Sequence, residues 1–464
     1  MAMAQGKSLG LLDLVLFNTV AVVGLRWVAL AGHSGPSSLT LWLLAALIFF
    51  IPQGLCVMTL SSALPKDGGL YVWISEAFGE RQGFIAGWVY WASTLLYFPT
   101  LALSTAIFAL YIFNGRFVEL EHSSAYATGA SLLLLAIALA CNTVGTNAGR
   151  WLQNLGGLAQ WLPSLVVVFI GTVALLADGS ATPMPAESFA PSFSNFDTII
   201  FFAQICFAFA GLELALILAG EIREPRRTIP RALLISGLVI AGIYILNTLA
   251  LMWALPPEKI SIIAGINQAI ATAGAAHGMP WLGSPVALLM TLAGIGGLGA
   301  WMIGTARLLF VGGMDRLLPP ALARVHPRWN TPYVALLVQG ALGALFIVAA
   351  NQGTSVHTAY LILVDATAIL TFIPYLYLFA AAIKLRRRIA HTPEAIVVPG
   401  GAAGSVFANG IGFLTTVGAI ALALVPPSDT SDKADFFFKV IGGAIGFVVA
   451  GFVLYWLAKR RAMR

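Results

Sequence analysis

Two charged residues in otherwise apolar segments are the first candidates for chemistry. Arg26 follows Gly24 by two residues in the first long apolar segment, and Glu213 follows Gly211 by two residues in the sixth. A charge inside a bilayer is costly unless it is paired, protonated or in contact with water. Glycine is a weak helix former that permits the backbone to open. Each segment is therefore predicted to be a broken helix that lines a polar cavity.

Each of these predictions has a plainer alternative. Gly211 could belong to an intact helix and allow close packing, as small residues do in membrane bundles. Arg26 could extend its charged end along the helix to the outer surface of the membrane. The spacing alone leaves both alternatives open.

A third charge, Asp365, lies well inside the tenth apolar segment. Arg26 and Asp365 both fall in the outer halves of their segments. Because each buried charge needs a partner or water, we expect an Arg26–Asp365 ion pair that acts as an outer gate.

These residues belong to a chain with the composition of a multi-pass membrane protein. Of its 464 residues, 59% are hydrophobic and only 9% are charged, compared with about 25% charged in ordinary soluble domains. Apolar runs of membrane-spanning length predict an all-α protein of about twelve transmembrane helices. The predicted spans are 9–31, 39–63, 83–113, 124–143, 151–177, 196–220, 228–255, 281–311, 332–350, 356–382, 404–426 and 436–458.

The basic residues predict the orientation of these spans and exclude several classes of function. Twelve spans place most of the 25 lysines and arginines on one face together with both termini, which predicts that this face is cytoplasmic. The net charge of +6 then reflects basic residues that orient the spans in the membrane, and no nucleic acid partner is expected. Three cysteines without metal spacing predict neither a metal site nor a disulfide framework. Without a catalytic or phosphate-binding motif, we expect no catalytic residues, no cofactor and no enzyme.

The two interrupted spans are the first of each half of the chain. Interrupted helices at corresponding positions in two halves are typical of transporters built from inverted repeats. The N–H groups that begin a half-helix can bind a carboxylate, and the carbonyls that end one can bind an ammonium group. An amino acid is therefore the expected substrate.

Several motifs resemble those of the amino acid–polyamine–organocation superfamily. The sequence FAFAGLE (Phe207–Glu213), followed by EIREPRRTIPRA, is similar to the sixth-span motif of these transporters. Further similar stretches are PKDGGLYVWISEAFG, GMDRLLPPALARVHPRWNTP and IPYLYL. FFIPQGLC and the VPGG…ALVPPSD tail are most similar to the glutamate–GABA exchanger family.

The resemblance implies a fold and a set of site residues. The fold would be the leucine-transporter type, with a first repeat at 1–178, an inverted second repeat at 195–388, and two additional helices at 400–464. Glu213 would stabilise the opened helices and could be the group that carries a proton. The implied unwound and substrate-binding residues are Val22, Val23, Gly24, Leu25, Phe207, Ala208, Phe209, Ala210 and Gly211, with Tyr90, Thr94 and Trp301 reaching the cavity from the third and eighth spans.

Two departures from the family pattern affect the expected mechanism. Val23-Gly24-Leu25-Arg26 replaces the usual glycine-rich run of the first span. Gln160 precedes Trp-Leu-Pro in the fifth span, where proton-dependent relatives often have a lysine. Arg26 could also pair with a side-chain carboxylate, which would favour glutamate-like substrates, although the otherwise apolar cavity could suit a neutral amino acid.

The expected protein is a secondary active amino acid transporter of the cytoplasmic membrane that works by alternating access. It would be an exchanger or a proton-coupled symporter, in a lipid bilayer, as a monomer or homodimer. The alternatives are a polyamine or amine transporter, and an amino acid receptor of the same fold that does not transport.

Overall fold

The computed structural model describes residues 9–66, 68–191, 196–314, 317–350, 356–392, 395–426 and 437–462. Within these ranges the chain is almost entirely helical, and its single isolated β-bridge joins Leu9 to Ile222. The helices of the first half are α1 (Leu11–Val22), α2 (Leu25–His33), α3 (Ser37–Ala45), α4 (Ile51–Ala63), α5 (Leu70–Phe78), α6 (Glu80–Leu110), α7 (Ser124–Val144) and α8 (Thr146–Asp178). Those of the second half are α9 (Phe196–Ala208), α10 (Pro225–Ala254), α11 (Gly265–Ala276), α12 (Gly283–Met314), α13 (Tyr333–Ala350), α14 (Val356–Ala390), α15 (Gly401–Ala423) and α16 (Gly443–Ala462).

The long helices coincide with the predicted spans. Ten helical segments in the described ranges are long and apolar enough to cross a membrane, and α1 with α2 forms an eleventh that is bent by 41°. The sixth predicted span is occupied by α9 and by a 3₁₀ helix, Leu214–Glu221. The predicted domain limits at 1, 195 and 464 lie outside the described residues.

Two shorter helices lie between the spans. The amphipathic α5 has Leu70, Trp73, Ile74 and Ala77 buried, the i, i+3, i+4, i+7 pattern of a helix with one apolar face. The sequence did not predict α11, which lies between the seventh and eighth spans.

The helices α8 and α12 approach each other more closely than side chains would allow. A Cβ atom on Gly156 would lie 2.8 Å from the Cα of Gly296, and a Cβ on Gly296 would lie equally close to the Cα of Gly156. A small residue on both helices brings their backbones into contact. This contact joins the first half of the chain to the second.

One face of the protein, here called the terminal face, holds both ends of the described chain and is closed by short contacts. Besides the bridge from Leu9 to Ile222, the Arg223 N–H donates to the Leu9 carbonyl at 2.9 Å. Glu76 on α5 accepts a bond of 2.9 Å from Arg388 at the end of α14. At the opposite face, a vestibule of about 270 Å³ is lined by residues that include His33, Glu121 and Ile263.

Candidate functional site

The first span is interrupted at Val23 and Gly24. The helix α1 ends at Val22, and both interrupting residues have extended backbone angles before α2 begins at Leu25. A Cβ on Gly24 would lie 2.9 Å from the Trp27 ring, which explains why the position has no side chain. The break leaves the last carbonyls of α1 and the first N–H groups of α2 without partners inside their helices.

The sixth span is interrupted between Ala208 and Leu214. Gly211 has a φ of 121°, a conformation that is readily available only to glycine. A Cβ at this position would lie 3.2 Å from the Trp301 ring and 3.3 Å from the Val22 side chain. The two breaks therefore face each other at close range.

A single hydroxyl group joins the two breaks. Tyr244 Oη, from α10, lies 2.7 Å from the Val22 carbonyl and 2.9 Å from the Ala208 carbonyl, and it accepts a bond of 3.2 Å from the Gly24 N–H. Trp301 Nε1 donates at 2.8 Å to the carbonyl of Ala21, another residue in the last turn of α1. Side chains of other spans thus satisfy the backbone groups that the breaks expose, as a membrane interior requires.

Glu213 is fully buried and is surrounded by hydrogen-bond donors. The Tyr375 hydroxyl donates to its Oε2 at 2.7 Å, and Gln53 Nε2 donates to the same oxygen at 3.0 Å. The Tyr90 hydroxyl donates to Oε1. Tyr375 Oη also accepts the Gly211 N–H at 2.9 Å. Three donors suit an ionised carboxylate, and the network holds the second break in place.

Arg26 and Asp365 do not form the expected ion pair in this conformation. Arg26 Nη2 donates to Tyr97 Oη at 2.9 Å, whereas Asp365 Oδ1 accepts from Gln204 Nε2 at 3.0 Å. The guanidinium also lies over the rings of Trp27 and Tyr97, at 4.6 and 5.3 Å from their centroids. Cation–π contacts supply up to about 2 kcal/mol when desolvated, less than the several kcal/mol that burial of a cation costs.

The remaining predicted residues divide between the site and the surrounding packing. Phe207 lies edge-on to Trp27 at 5.6 Å and to Tyr97 at 6.1 Å. Phe209 instead stacks on Phe50 at 4.5 Å. Other predicted residues bond locally: the Thr94 hydroxyl donates to the carbonyl of Trp91, and the Ala210 N–H donates to that of Phe207.

A small cavity of about 20 Å³ adjoins the first break. Its lining includes Val23, Gly24, Leu25, Arg26 and Gln160. The structure thus brings together four of the predicted residues of the first span and the predicted residue of the fifth.

Sequence reasoning missed several residues that hold the site together. Tyr244 and Gln53 each received no role, although each is a polar residue in a predicted apolar span. That was the available signal, because a buried polar group in a membrane span needs a partner. Gln204, the partner of Asp365, carried the same signal.

Comparison with known proteins identifies relatives over most of the chain. The family model described as "Amino acid permease" matches residues 9–449. An uncharacterized transporter of Legionella pneumophila is 31% identical, over 98% of this chain and 97% of its own. A glutamate/gamma-aminobutyrate antiporter of Lactococcus lactis is 24% identical, over 90% of this chain and 84% of its own.

The fold is also similar to a solved structure. The crystal structure of MhsT in complex with L-phenylalanine superposes with a TM-score of 0.68 at 12% identity, over 90% of this chain and all of that one. The predicted all-helical fold of the leucine-transporter type is confirmed by this match.

Proposed function

The chain belongs to the amino acid permease family, whose members are transporters rather than enzymes, and on that premise we propose that it exchanges amino acids across the cell membrane by alternating access. Its relatives support transport of an amino acid or amine as a small-molecule substrate by a multi-pass protein of a bacterial cell membrane. The terminal face would be cytoplasmic, because the basic residues of the predicted topology gather there.

The observation that supports this proposal best is the pair of opposed helix breaks. The first-turn N–H groups of α2, beside Gly24, would receive the substrate carboxylate. The carbonyls that end α1 and α9, at Val22 and Ala208, would receive its ammonium group. Both carbonyls are bonded to the Tyr244 hydroxyl, so the substrate would displace or share that hydroxyl.

We assign the surrounding side chains roles in closing and coupling the site. Phe207 would act as the lid over the substrate, and Trp301 and Tyr90 would close the opposite side. Arg26 and Asp365 would restrain the outer halves of their spans through Tyr97 and Gln204, in place of a direct ion pair. Each of these contacts joins two different spans, so breaking it would free one span from the other.

Glu213 bears on the choice between exchange and proton symport in this proposal. Its three donors suit the ionised form, which favours exchange, whereas its burial among neutral partners favours the protonated form. Uptake driven by a proton gradient through Glu213 is therefore the second candidate. An amine substrate is less well supported, because the cation Arg26 adjoins the first break and would repel a second positive charge.

Transport by the purified full-length protein in proteoliposomes tests the proposal. A panel of labelled amino acids and amines would be offered with and without internal substrate, a pH gradient and sodium. Uptake that requires internal amino acid would support exchange, and uptake driven by the pH gradient alone would replace exchange with symport. Amine uptake without amino acid uptake, or uptake no greater than in protein-free liposomes, would refute the proposed function.

A further inference from the structure

The cavity beside the first helix break is lined by hydrogen-bond donors without an acceptor. Arg26 and Gln160 are only 2% and 5% exposed, and both line the cavity, one from α2 and the other from α8. Arg26 Nε and Gln160 Nε2 have no hydrogen-bond partner among the described residues. The Tyr360 hydroxyl, near Arg26, is also buried and unpartnered among the described residues, so the chain offers Arg26 one neutral oxygen and no charged acceptor. Because buried polar groups are nearly always bonded, unused donors on two walls of one cavity indicate an acceptor that binds between them.

Two further groups add positive character to the same place. Tyr97 Oη accepts its bond from Arg26, and within the described part of the chain it donates to no other group, so its proton is available. The cavity also adjoins Leu25, the first residue of α2. The N–H groups of a first helical turn carry partial positive charge and have no acceptor within the helix.

No negative group of the described chain balances these donors. The residues that line the cavity include no aspartate or glutamate. Asp365, the acid expected to pair with Arg26, is bonded to Gln204 instead. The hydroxyl of Thr105, another lining residue, already donates its hydrogen bond to the Leu101 carbonyl at 2.7 Å. The cavity is therefore a buried positive site of about 20 Å³, with room for one small group.

We propose that this cavity binds one anionic group, either the side-chain carboxylate of the substrate or a small inorganic anion such as chloride. Arg26 and Gln160 would each donate to it from one wall. If the anion is a substrate carboxylate, the amino acid backbone would lie at the neighbouring break, and Arg26 would select acidic over neutral substrates. This first source rests on the proposed function, whereas binding of chloride does not.

Ligand binding to the purified full-length protein in detergent tests the site and separates the two sources. Thermal-shift titrations would compare L-glutamate with L-glutamine, which has nearly the same shape and lacks the side-chain charge. They would also compare potassium chloride with potassium methanesulfonate, whose anion is bulkier than chloride. The variants are Arg26→Gln and Gln160→Leu. Arg116→Gln is the matched control, because Arg116 is an exposed arginine that does not line the cavity.

If the bound anion is the side-chain carboxylate of the substrate, the wild-type protein should prefer glutamate to glutamine by roughly 10- to 100-fold. This factor corresponds to one charge-assisted hydrogen bond. That preference should fall towards one in Arg26→Gln, shrink in Gln160→Leu and persist in Arg116→Gln. If chloride is the ligand, chloride should stabilise the wild-type protein more than methanesulfonate does, and that difference should be smaller in both cavity variants. If Arg26→Gln does not fold, Gln160→Leu decides, since it keeps the charge and removes only one donor.

The anion site is refuted if the wild-type protein shows neither preference, or if a preference is unchanged in Gln160→Leu. Its failure is distinguishable from failure of the proposed function. Amino acid exchange in proteoliposomes without any preference for glutamate or effect of chloride would remove the anion site and leave the transporter. Chloride binding that depends on Gln160, in a protein that transports no amino acid, would support the anion site and refute the proposed function.

Discussion

Replacement of Tyr244 by phenylalanine isolates the hydroxyl that joins the two helix breaks. The ring should keep its place, because it stacks on Trp42 at 4.4 Å and lies edge-on to Phe209 at 5.4 Å. Only the bonds to Val22, Ala208 and Gly24 are lost. The substitution therefore tests whether this hydroxyl holds the breaks together.

The expected cost follows from the bonds that are lost. An unsatisfied N–H at Gly24 costs about 1 to 3 kcal/mol, and the bond to a carbonyl contributes about 0.5 to 1.5 kcal/mol. Together these losses amount to roughly 2 to 4 kcal/mol. The equilibrium between joined and separated breaks should therefore shift by roughly 30- to 700-fold towards separation. Hydrogen exchange followed by mass spectrometry should therefore show faster exchange in peptides that cover 19–27 and 205–214.

Tyr126→Phe is the matched control for this prediction. The Tyr126 hydroxyl donates to the Ala106 carbonyl at 2.8 Å, a bond between α7 and α6 that is remote from the breaks. This control should leave exchange in both peptides unchanged. If Tyr244→Phe leaves hydrogen exchange in both peptides as unchanged as Tyr126→Phe does, the Tyr244 hydroxyl does not hold the two breaks together, and the prediction is wrong.

Three further predictions follow from the same contacts. Glu213→Gln should abolish transport and lower the thermal midpoint, because an amide in that position directs its N–H groups at neighbouring donors. Gly211→Ala should lower the thermal midpoint and the uptake rate, since its φ of 121° strains a residue with a Cβ by about 1 to 3 kcal/mol. The hydrogen bond from Arg388 lowers the pKa of Glu76 below its ordinary value of 4.5. The pair should thus stabilise the protein above about pH 4.5, and the wild-type advantage over Arg388→Gln in thermal midpoint should vanish as pH falls through that lowered pKa.

Each of these predictions has a contrary result, and the Gly211 prediction also has a matched control. Gly242 has open space where a Cβ would lie, so Gly242→Ala should be neutral or slightly stabilising, and an equal loss in both alanine variants would contradict the strain at Gly211. Transport by Glu213→Gln at the wild-type rate would remove Glu213 from the mechanism. A difference between wild type and Arg388→Gln that grows on acidification would reverse the sign assigned to Glu76.

Much of the fold could be predicted from the sequence because a bilayer leaves few choices. Runs of apolar residues must be helical to satisfy their backbone, and the spans inferred from them coincide with the observed helices. The described helices are interrupted at Gly24 and at Gly211, the glycines at which the sequence combines weak helix propensity with a nearby charge. The short α11 was missed because a twelve-residue apolar stretch between spans carries no distinct signal.

The partners of the site residues could not be predicted, because they come from spans that are distant in sequence. Arg26 was matched with Asp365 on charge alone, whereas the fold gives each of them a neutral partner. Tyr244 is 220 residues from Gly24 in the chain, and only the three-dimensional packing brings its hydroxyl to the break. Spacing along the sequence indicates which groups need a partner, and it does not identify the partner.

The backbone contact between Gly156 and Gly296 has a consequence for motion. Two helices whose backbones touch without intervening side chains cannot slide or roll past each other without a steric clash. The pair α8 and α12 would therefore act as a stationary frame, and the interrupted spans would be the moving parts. Spectroscopic labels on α8 and α12 should keep a constant separation throughout the cycle, which makes that pair a reference against which displacement of α2 and α9 can be measured.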